Sequence, residues 1–151
     1  MQIVQWTEND AIPYRLLYLA DPDKDMIDRY FFQSDVFLLK VDKDIVGVVC
    51  IQSQEKTAEI MNIAISPTYQ GARYGTNLIN CAIKHVKKLH KDTLLVKTAN
   101  SSIQALTFYK KNGFKITKIV PNYFVENYAQ PIWEDGIQAQ DQIILSLNLH
   151  E

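Results

Sequence analysis

The stretch Ile63-Ala-Ile-Ser-Pro-Thr-Tyr-Gln-Gly-Ala-Arg-Tyr-Gly-Thr-Asn-Leu-Ile79 joins an apolar run to an amphipathic helical pattern through a turn bearing Gly71 and Gly75. Where a helix starts, backbone N–H groups are unpaired and the helix dipole is positive, so this turn is chemically suited to a pyrophosphate. The glycines would let the backbone approach such a ligand. Glycines after a strand also make plain tight turns, and the residues alone leave both readings open. The turn is not a nucleoside-triphosphate loop: it lacks the Lys-Ser/Thr pair that would meet a terminal phosphate and magnesium, and the dinucleotide spacing is also absent. A second chemically loaded stretch, Pro121 to Gly136, mixes Tyr123, Phe124, Tyr128 and Trp133 with Glu126, Glu134 and Asp135. That combination suits a cationic amine, and the stretch is too long for a tight hairpin. Its alternative reading is a loop whose aromatics pack on a sheet edge.

These residues need a scaffold, and the hydrophobic pattern supplies one. Ile3 to Trp6 is a short apolar run. Two helical stripes follow, Leu16, Leu17, Leu19 and Ala20, then Met26, Ile27, Tyr30 and Phe31, with Asp21 or Asp23 available to cap the second helix. Asp35 to Val41 and Ile45 to Ile51 read as strands joined by the turn Asp42-Lys43-Asp44. The second half reads as strand (58–65), turn (66–68), helix (74–89) and strand (93–98), a unit whose right-handed crossover should leave its strands parallel and near each other. Then come a helix (102–111) stopped by Asn112-Gly113, a strand (114–120), the long irregular segment and a last alternating strand (142–149). The whole reads as one α/β domain over 1–151 with a mixed sheet, in keeping with its length.

Composition narrows the function classes. Hydrophobic residues make up 47% and charged residues 22%, as in an ordinary folded domain. A net charge of -1 with dispersed Lys and Arg is not the footprint of a general nucleic-acid binder, so any phosphate must be held locally. No basic flank precedes an apolar run at the amino terminus and no segment is long enough to span a bilayer, so no membrane association and a cytoplasmic location are expected. Cys50 and Cys81 lie in apolar and helical patterns without zinc-like spacing and are expected to be reduced packing residues, with no metal site. His85 and His90, among Lys84, Lys87, Lys88 and Lys91, are expected on a solvated helix face.

Gln70-Gly71-Ala72-Arg73-Tyr74-Gly75 resembles the Q/R-x-x-G-x-G/A signature of the GNAT acetyltransferase superfamily. Asn100-Ser-Ser-Ile-Gln-Ala-Leu-Thr-Phe-Tyr-Lys-Lys-Asn-Gly-Phe114 resembles the helix of that family that ends in F-Y-x-x-x-G-F. Together with Leu19-Ala-Asp-Pro near the start and the long aromatic segment, the resemblance to small, largely unassigned bacterial GNAT proteins runs over nearly the full length. It implies a central twisted mixed sheet of about six to seven strands flanked by about four helices. It also implies that backbone amides of Gln70, Gly71, Ala72, Arg73, Tyr74, Gly75 and Thr76 bind the pyrophosphate of CoA. Arg73 occupies the first of two usual glycine slots; its guanidinium is read as a charge-assisted phosphate contact, the other reading being a side chain in solvent. Asn100 or Ser102 would meet the pantetheine arm, and the backbone around Ile63, Ala64 and Ile65 would pair with it.

The implied reaction carries acetyl from acetyl-CoA to a primary amine by direct attack, with a small cationic amine favoured and no metal. The departing CoA sulfur is a thiolate, and Tyr109, matching the family's tyrosine, would protonate it. Without the motif, Tyr109 reads as a core aromatic. An alkylammonium acceptor has a pKa near ten and must lose a proton before attack. Ala58-Glu-Ile-Met-Asn-Ile-Ala-Ile-Ser66 is similar to the strand that carries the general base in the histone-acetyltransferase branch, which makes Glu59 the candidate base; a solvent-facing charge is the alternative. Strict alternation puts Glu59, Met61, Ile63 and Ile65 on one face and Asn62 on the other, but the family's bulge in this strand would break that parity. Asn62 is a second polar candidate, and Tyr123, Phe124, Tyr128, Trp133 and Glu134 are candidates for the acceptor pocket. Two rivals stand beside this reading, a non-catalytic acyl-CoA sensor and a transferase for protein or peptide amines. A symmetric homodimer is the oligomer to expect if one forms.

Overall fold

The β-branched and aromatic run from Asp35 to Ser53 folds back on itself at Asp42, whose left-handed φ of 56° a short Asp side chain tolerates. The computed structural model describes residues 1–150, and the chain clusters into two compact units, the first ending at Asp92 and the second beginning at Thr93. The first unit holds β1 (Gln2–Gln5), α1 (Tyr14–Ala20), α2 (Lys24–Phe31), β2 (Asp35–Val41), β3 (Asp44–Ser53), β4 (Thr57–Ile65), a 3-10 turn (Pro67–Tyr69) and α3 (Tyr74–Lys88). Its strands run antiparallel in the order β1-β2-β3-β4. Leu16 and Leu17 of α1 and Ile27, Tyr30 and Phe31 of α2 pack on Val36, Leu38, Val48, Cys50 and Ala64, which fixes these two helices on one face of the sheet. The other face belongs to α3. Gly47 lets the layers approach there: an added Cβ would lie 2.7 Å from Ile65 Cδ1 and 3.2 Å from Leu78 Cδ1, so those side chains would have to shift. Of the two candidate caps, Asp23 takes the role: its Oδ1 accepts from the N–H groups of Asp25 (3.0 Å) and Met26 (3.3 Å).

The register of β3 with β4 slips once. Cys50 opposes Asn62 but Ile51 opposes Ile60, so Met61 is an extra residue in β4. Opposed residues on antiparallel strands share a face. Gln52, Cys50 and Val48 therefore carry Glu59, Asn62 and Ala64 with them toward α1 and α2, while Ile51, Val49 and Gly47 carry Ile60, Ile63 and Ile65 toward α3. Strict alternation is broken, and the two polar candidates Glu59 and Asn62 lie on one face.

The second unit holds β5 (Thr93–Ala99), α4 (Ile103–Lys111), β6 (Lys115–Val120), α5 (Tyr123–Asn127), a small hairpin of β7 (Trp133–Glu134) and β8 (Ile137–Gln138), and β9 (Gln142–Asn148). β9 lies between β5 and β6, antiparallel to both. Gly113 at φ 94° ends α4 as expected, with the N–H of Phe114 donating to Tyr109 O at 3.0 Å. The segment read as irregular instead contains α5 and the β7–β8 hairpin. Its turn, Asp135 at φ 48° and Gly136 at φ 80°, has the two successive positive φ values of a tight hairpin. Five residues are too few for a helical stripe to show in sequence, so the count rises from about four helices to the five named.

His85 departs from its expected place. It is half-buried, with Nε2 2.7 Å from Asp35 Oδ2 and its ring edge-on to Phe37, because α3 lies across β2. His90 is exposed just beyond α3, at φ 59°. Both cysteines are free, as expected; burial pushes the Cys50 thiol up to about 12 and raises that of Cys81. No helix among the described residues is long and apolar enough to cross a membrane.

Candidate functional site

In the first unit the candidate residues lie along β4 and at the start of α3. After Ile65 the chain passes through the 3-10 turn, and Gln70 folds its side chain back so that Nε2 donates to Ile65 O at 3.0 Å. Gly71 then takes φ 85°, a conformation that disfavours other residues by backbone strain and not by crowding, since nothing lies within 4 Å of where its Cβ would be. Arg73 follows at φ 66° as the N-cap residue of α3, a left-handed conformation that costs a non-glycine residue about 1 kcal/mol. The first helical bond runs from Asn77 N–H to Arg73 O at 3.0 Å. Among the described residues, the N–H groups of Gly71 through Thr76 have no acceptor, and no side chain caps the helix. Six consecutive amides at the positive end of a fifteen-residue helix form a cradle for an anion. The Arg73 guanidinium is exposed beside them, without a partner among the described residues.

On β4, Glu59 is 8% exposed and Asn62 3% exposed, both facing α1 and α2. The Asn62 amide nitrogen donates to Leu17 O at 3.0 Å and to Tyr30 Oη at 2.9 Å. By its position in the apolar stripe Tyr30 reads as a packing residue, and its hydroxyl is the one signal of a further role.

In the second unit Tyr109 is 7% exposed, with its ring held edge-on by Phe114 at 5.8 Å and tilted against Phe108 at 5.5 Å. Among the described residues its hydroxyl has no hydrogen-bond partner. Burial pushes the phenol up to about 12, so it is protonated at neutral pH and able to serve as an acid. Asn100 and Ser102, read as alternatives for one role, do separate structural work. Asn100 Oδ1 accepts from the N–H groups of Gln140 (2.7 Å) and Asp141 (3.0 Å), and its Nδ2 donates to Gln138 O at 3.2 Å. Ser102 Oγ donates to Glu134 Oε1 at 2.8 Å, and Ser101 Oγ, on a residue not singled out in the sequence, donates to the same oxygen at 2.9 Å. Glu134 thus ties the β7–β8 hairpin to the start of α4. Of the aromatics, Tyr123, Phe124 and Tyr128 come together, Phe124 edge-on to Tyr123 at 5.1 Å and stacked on Tyr128 at 5.7 Å. Trp133 is 62% exposed and joins no ring cluster among the described residues.

Among the described residues no group of three His, Cys, Asp or Glu side chains is placed to hold a metal ion. What the arrangement offers is anion binding at the α3 start, a neutral buried phenol, and a carboxylate beside an amide on one face of β4.

Residues 3–114 match the model of the acetyltransferase (GNAT) family. The chain is 39% identical over 142 residues to the uncharacterized N-acetyltransferase YvbK of Bacillus subtilis strain 168, covering 93% of this chain and 91% of that one. Its fold is similar to that of a GNAT family acetyltransferase from Elizabethkingia anophelis solved with acetyl-CoA bound, with a TM-score of 0.92, 38% identity and 97% of each chain covered. It is also similar to a Bacillus subtilis acetyltransferase solved in complex with CoA, with a TM-score of 0.91, 36% identity and 97% of each chain covered.

Proposed function

The chain belongs to the GNAT acetyltransferase family, and from that premise we propose that it moves the acetyl group of acetyl-CoA to a primary amine by direct attack, the favoured acceptor being a small cationic amine. Acetyl-CoA is its co-substrate, as the mixed α/β fold and the ligand-bound relatives support. The observation that carries the reading is the row of unpaired amides from Gly71 to Thr76, an anion cradle at the position the family uses for the CoA pyrophosphate. Acetyl-CoA is made and used in the cytoplasm, so the enzyme is assigned there.

Glu59 takes the proton that the acceptor ammonium must lose. The freed nitrogen lone pair then forms the C–N bond at the thioester carbonyl as the C–S bond breaks, and Tyr109 gives its phenolic proton to the departing sulfur. The nitrogen's remaining excess proton is released to solvent, from which Tyr109 recovers its own, and Glu59 returns its proton to solvent to restore the base. No covalent enzyme intermediate is involved: burial keeps the Cys50 thiol protonated and raises that of Cys81. Orientation of two reactants supplies most of the acceleration, on the order of 7–11 kcal/mol. The ring cluster of Tyr123, Phe124 and Tyr128, with Glu126 on the same short helix, offers faces and charge to a cation.

Thiol release from acetyl-CoA across polyamines, aminoglycosides, amino acids and short peptides tests the reading. Amine-dependent release is expected; hydrolysis indifferent to every amine would favour the sensor, and no calorimetric heat from CoA at millimolar concentration would sink the assignment.

Arg73→Gly separates the two roles of that residue. Glycine relieves the left-handed backbone, so folded stability should change by less than about 1 kcal/mol. CoA affinity should fall about three- to tenfold at low salt, with the gap narrowing as salt rises. Equal affinity at every ionic strength would leave Arg73 in solvent.

A further inference from the structure

Among the described residues, Asn62 Oδ1 is the buried side-chain polar atom that lacks a hydrogen-bond partner. A buried carbonyl oxygen without a donor is destabilising, and native proteins keep few of them. Turning the amide over offers no relief. Nδ2 is committed to two acceptors, Leu17 O and Tyr30 Oη. Tyr30 Oη in turn donates to Asp21 Oδ2 at 3.2 Å. Burial holds the Tyr30 phenol well above its ordinary range, so its proton stays available to Asp21 and its oxygen is left to accept from Asn62. The chain Asp21–Tyr30–Asn62 therefore has one direction of donation, and that direction leaves Oδ1 as the open end. The slip at Met61 sets this open end on the face of β4 that also carries Glu59.

We propose that Asn62 Oδ1 accepts an N–H of the acceptor's reacting nitrogen, with Tyr30 and Asp21 as positioning residues that fix the amide. The proposal rests on the acetyl-transfer reading and adds to it a residue that fixes the acceptor class. A primary amine that has lost one proton to Glu59 still carries two N–H bonds, and the amide product keeps one, so the contact lasts through the reaction. The attacking N–H of a secondary amine is the one it must lose, and its tertiary amide product has none. Asn62 thereby selects primary over secondary amines.

Two CoA thioethers, bearing S-CH2-CO-NH-butyl and S-CH2-CO-O-butyl, differ in one N–H at the reacting position and test this by calorimetry. Wild type should bind the amide about tenfold more tightly than the ester. The preference should vanish in Asn62→Leu and shrink in Tyr30→Phe, with unmodified CoA bound as tightly as by wild type in both. Equal binding of the two thioethers by wild type overturns the proposal, as does a preference that survives in Asn62→Leu, which would mean that Oδ1 holds only water. Should Asn62→Leu fail to fold, Tyr30→Phe decides in its place: an undiminished preference there overturns the relay. Absence of binding by unmodified CoA is a different failure, since it removes the acetyl-transfer reading itself and this proposal with it.

Discussion

Tyr109→Phe is expected to lower turnover by about 10²–10⁴-fold while leaving CoA affinity within about twofold and the thermal midpoint nearly unchanged. The ring is what packs: Phe108 and Phe114 hold it, and phenylalanine presents the same surface to both. The hydroxyl has no partner among the described residues, so its removal breaks no bond of the folded state. Loss of rate without loss of binding is the signature of an interaction made only in the transition state. The pH dependence follows from the raised phenol. Its acid form is the active one, and with the group at about 12 that form persists through the whole neutral and mildly alkaline range. Tyr109 thus contributes no alkaline fall in rate until pH approaches that value. Steady-state thiol release checks both points, and an unaltered kcat in the variant would remove Tyr109 from the chemistry.

Glu59→Gln is expected to cost about 10²-fold in kcat/KM for the amine near pH 7, with the KM for acetyl-CoA unmoved. The two side chains are nearly isosteric, so the packing of a residue that is 8% exposed is preserved. The diagnostic is the slope with pH. An alkylammonium with a pKa near ten is about 0.1% free amine at pH 7, and the variant can use only that fraction. Its kcat/KM should rise about tenfold per pH unit until roughly pH 10, whereas wild type, which accepts the ammonium and removes its proton, should show a shallower rise. Parallel profiles would assign the proton to a water chain instead of Glu59.

How far the sequence foretold these features depends on the range of the interactions that set them. The turn after β4 was legible because a short stretch of chain carries its whole logic: an apolar strand, Gly71, an exposed arginine and an uncapped helix start. The stop at Gly113 was legible for the same reason. Partners that are remote in sequence leave no local signal. Asn62 meets Leu17 and Tyr30 across 45 and 32 residues, and Asn100 clamps a backbone segment about 40 residues away. The lysines beside His85 in sequence point it to solvent, while Asp35, its actual partner, lies 50 residues earlier. Asp135-Gly136 is a local turn signal, and its two positive φ values organise a hairpin whose Glu134 engages Ser101 and Ser102. The sequence pattern admitted a bulge in β4 only through family resemblance, since periodicity alone counts residues and cannot see an extra one.

The inserted residue at Met61 changes how a directed search for altered acceptor range is to be laid out. Two-residue periodicity would nominate positions 59, 63 and 65 for joint randomisation, yet these straddle opposite sides of the sheet, and most combinations would vary surroundings that never meet. Positions 59 and 62 form the pair worth varying together, with 21 and 30 as the compensating sites. A library built on that grouping samples coupled neighbours, where one built on the simple count would sample strangers.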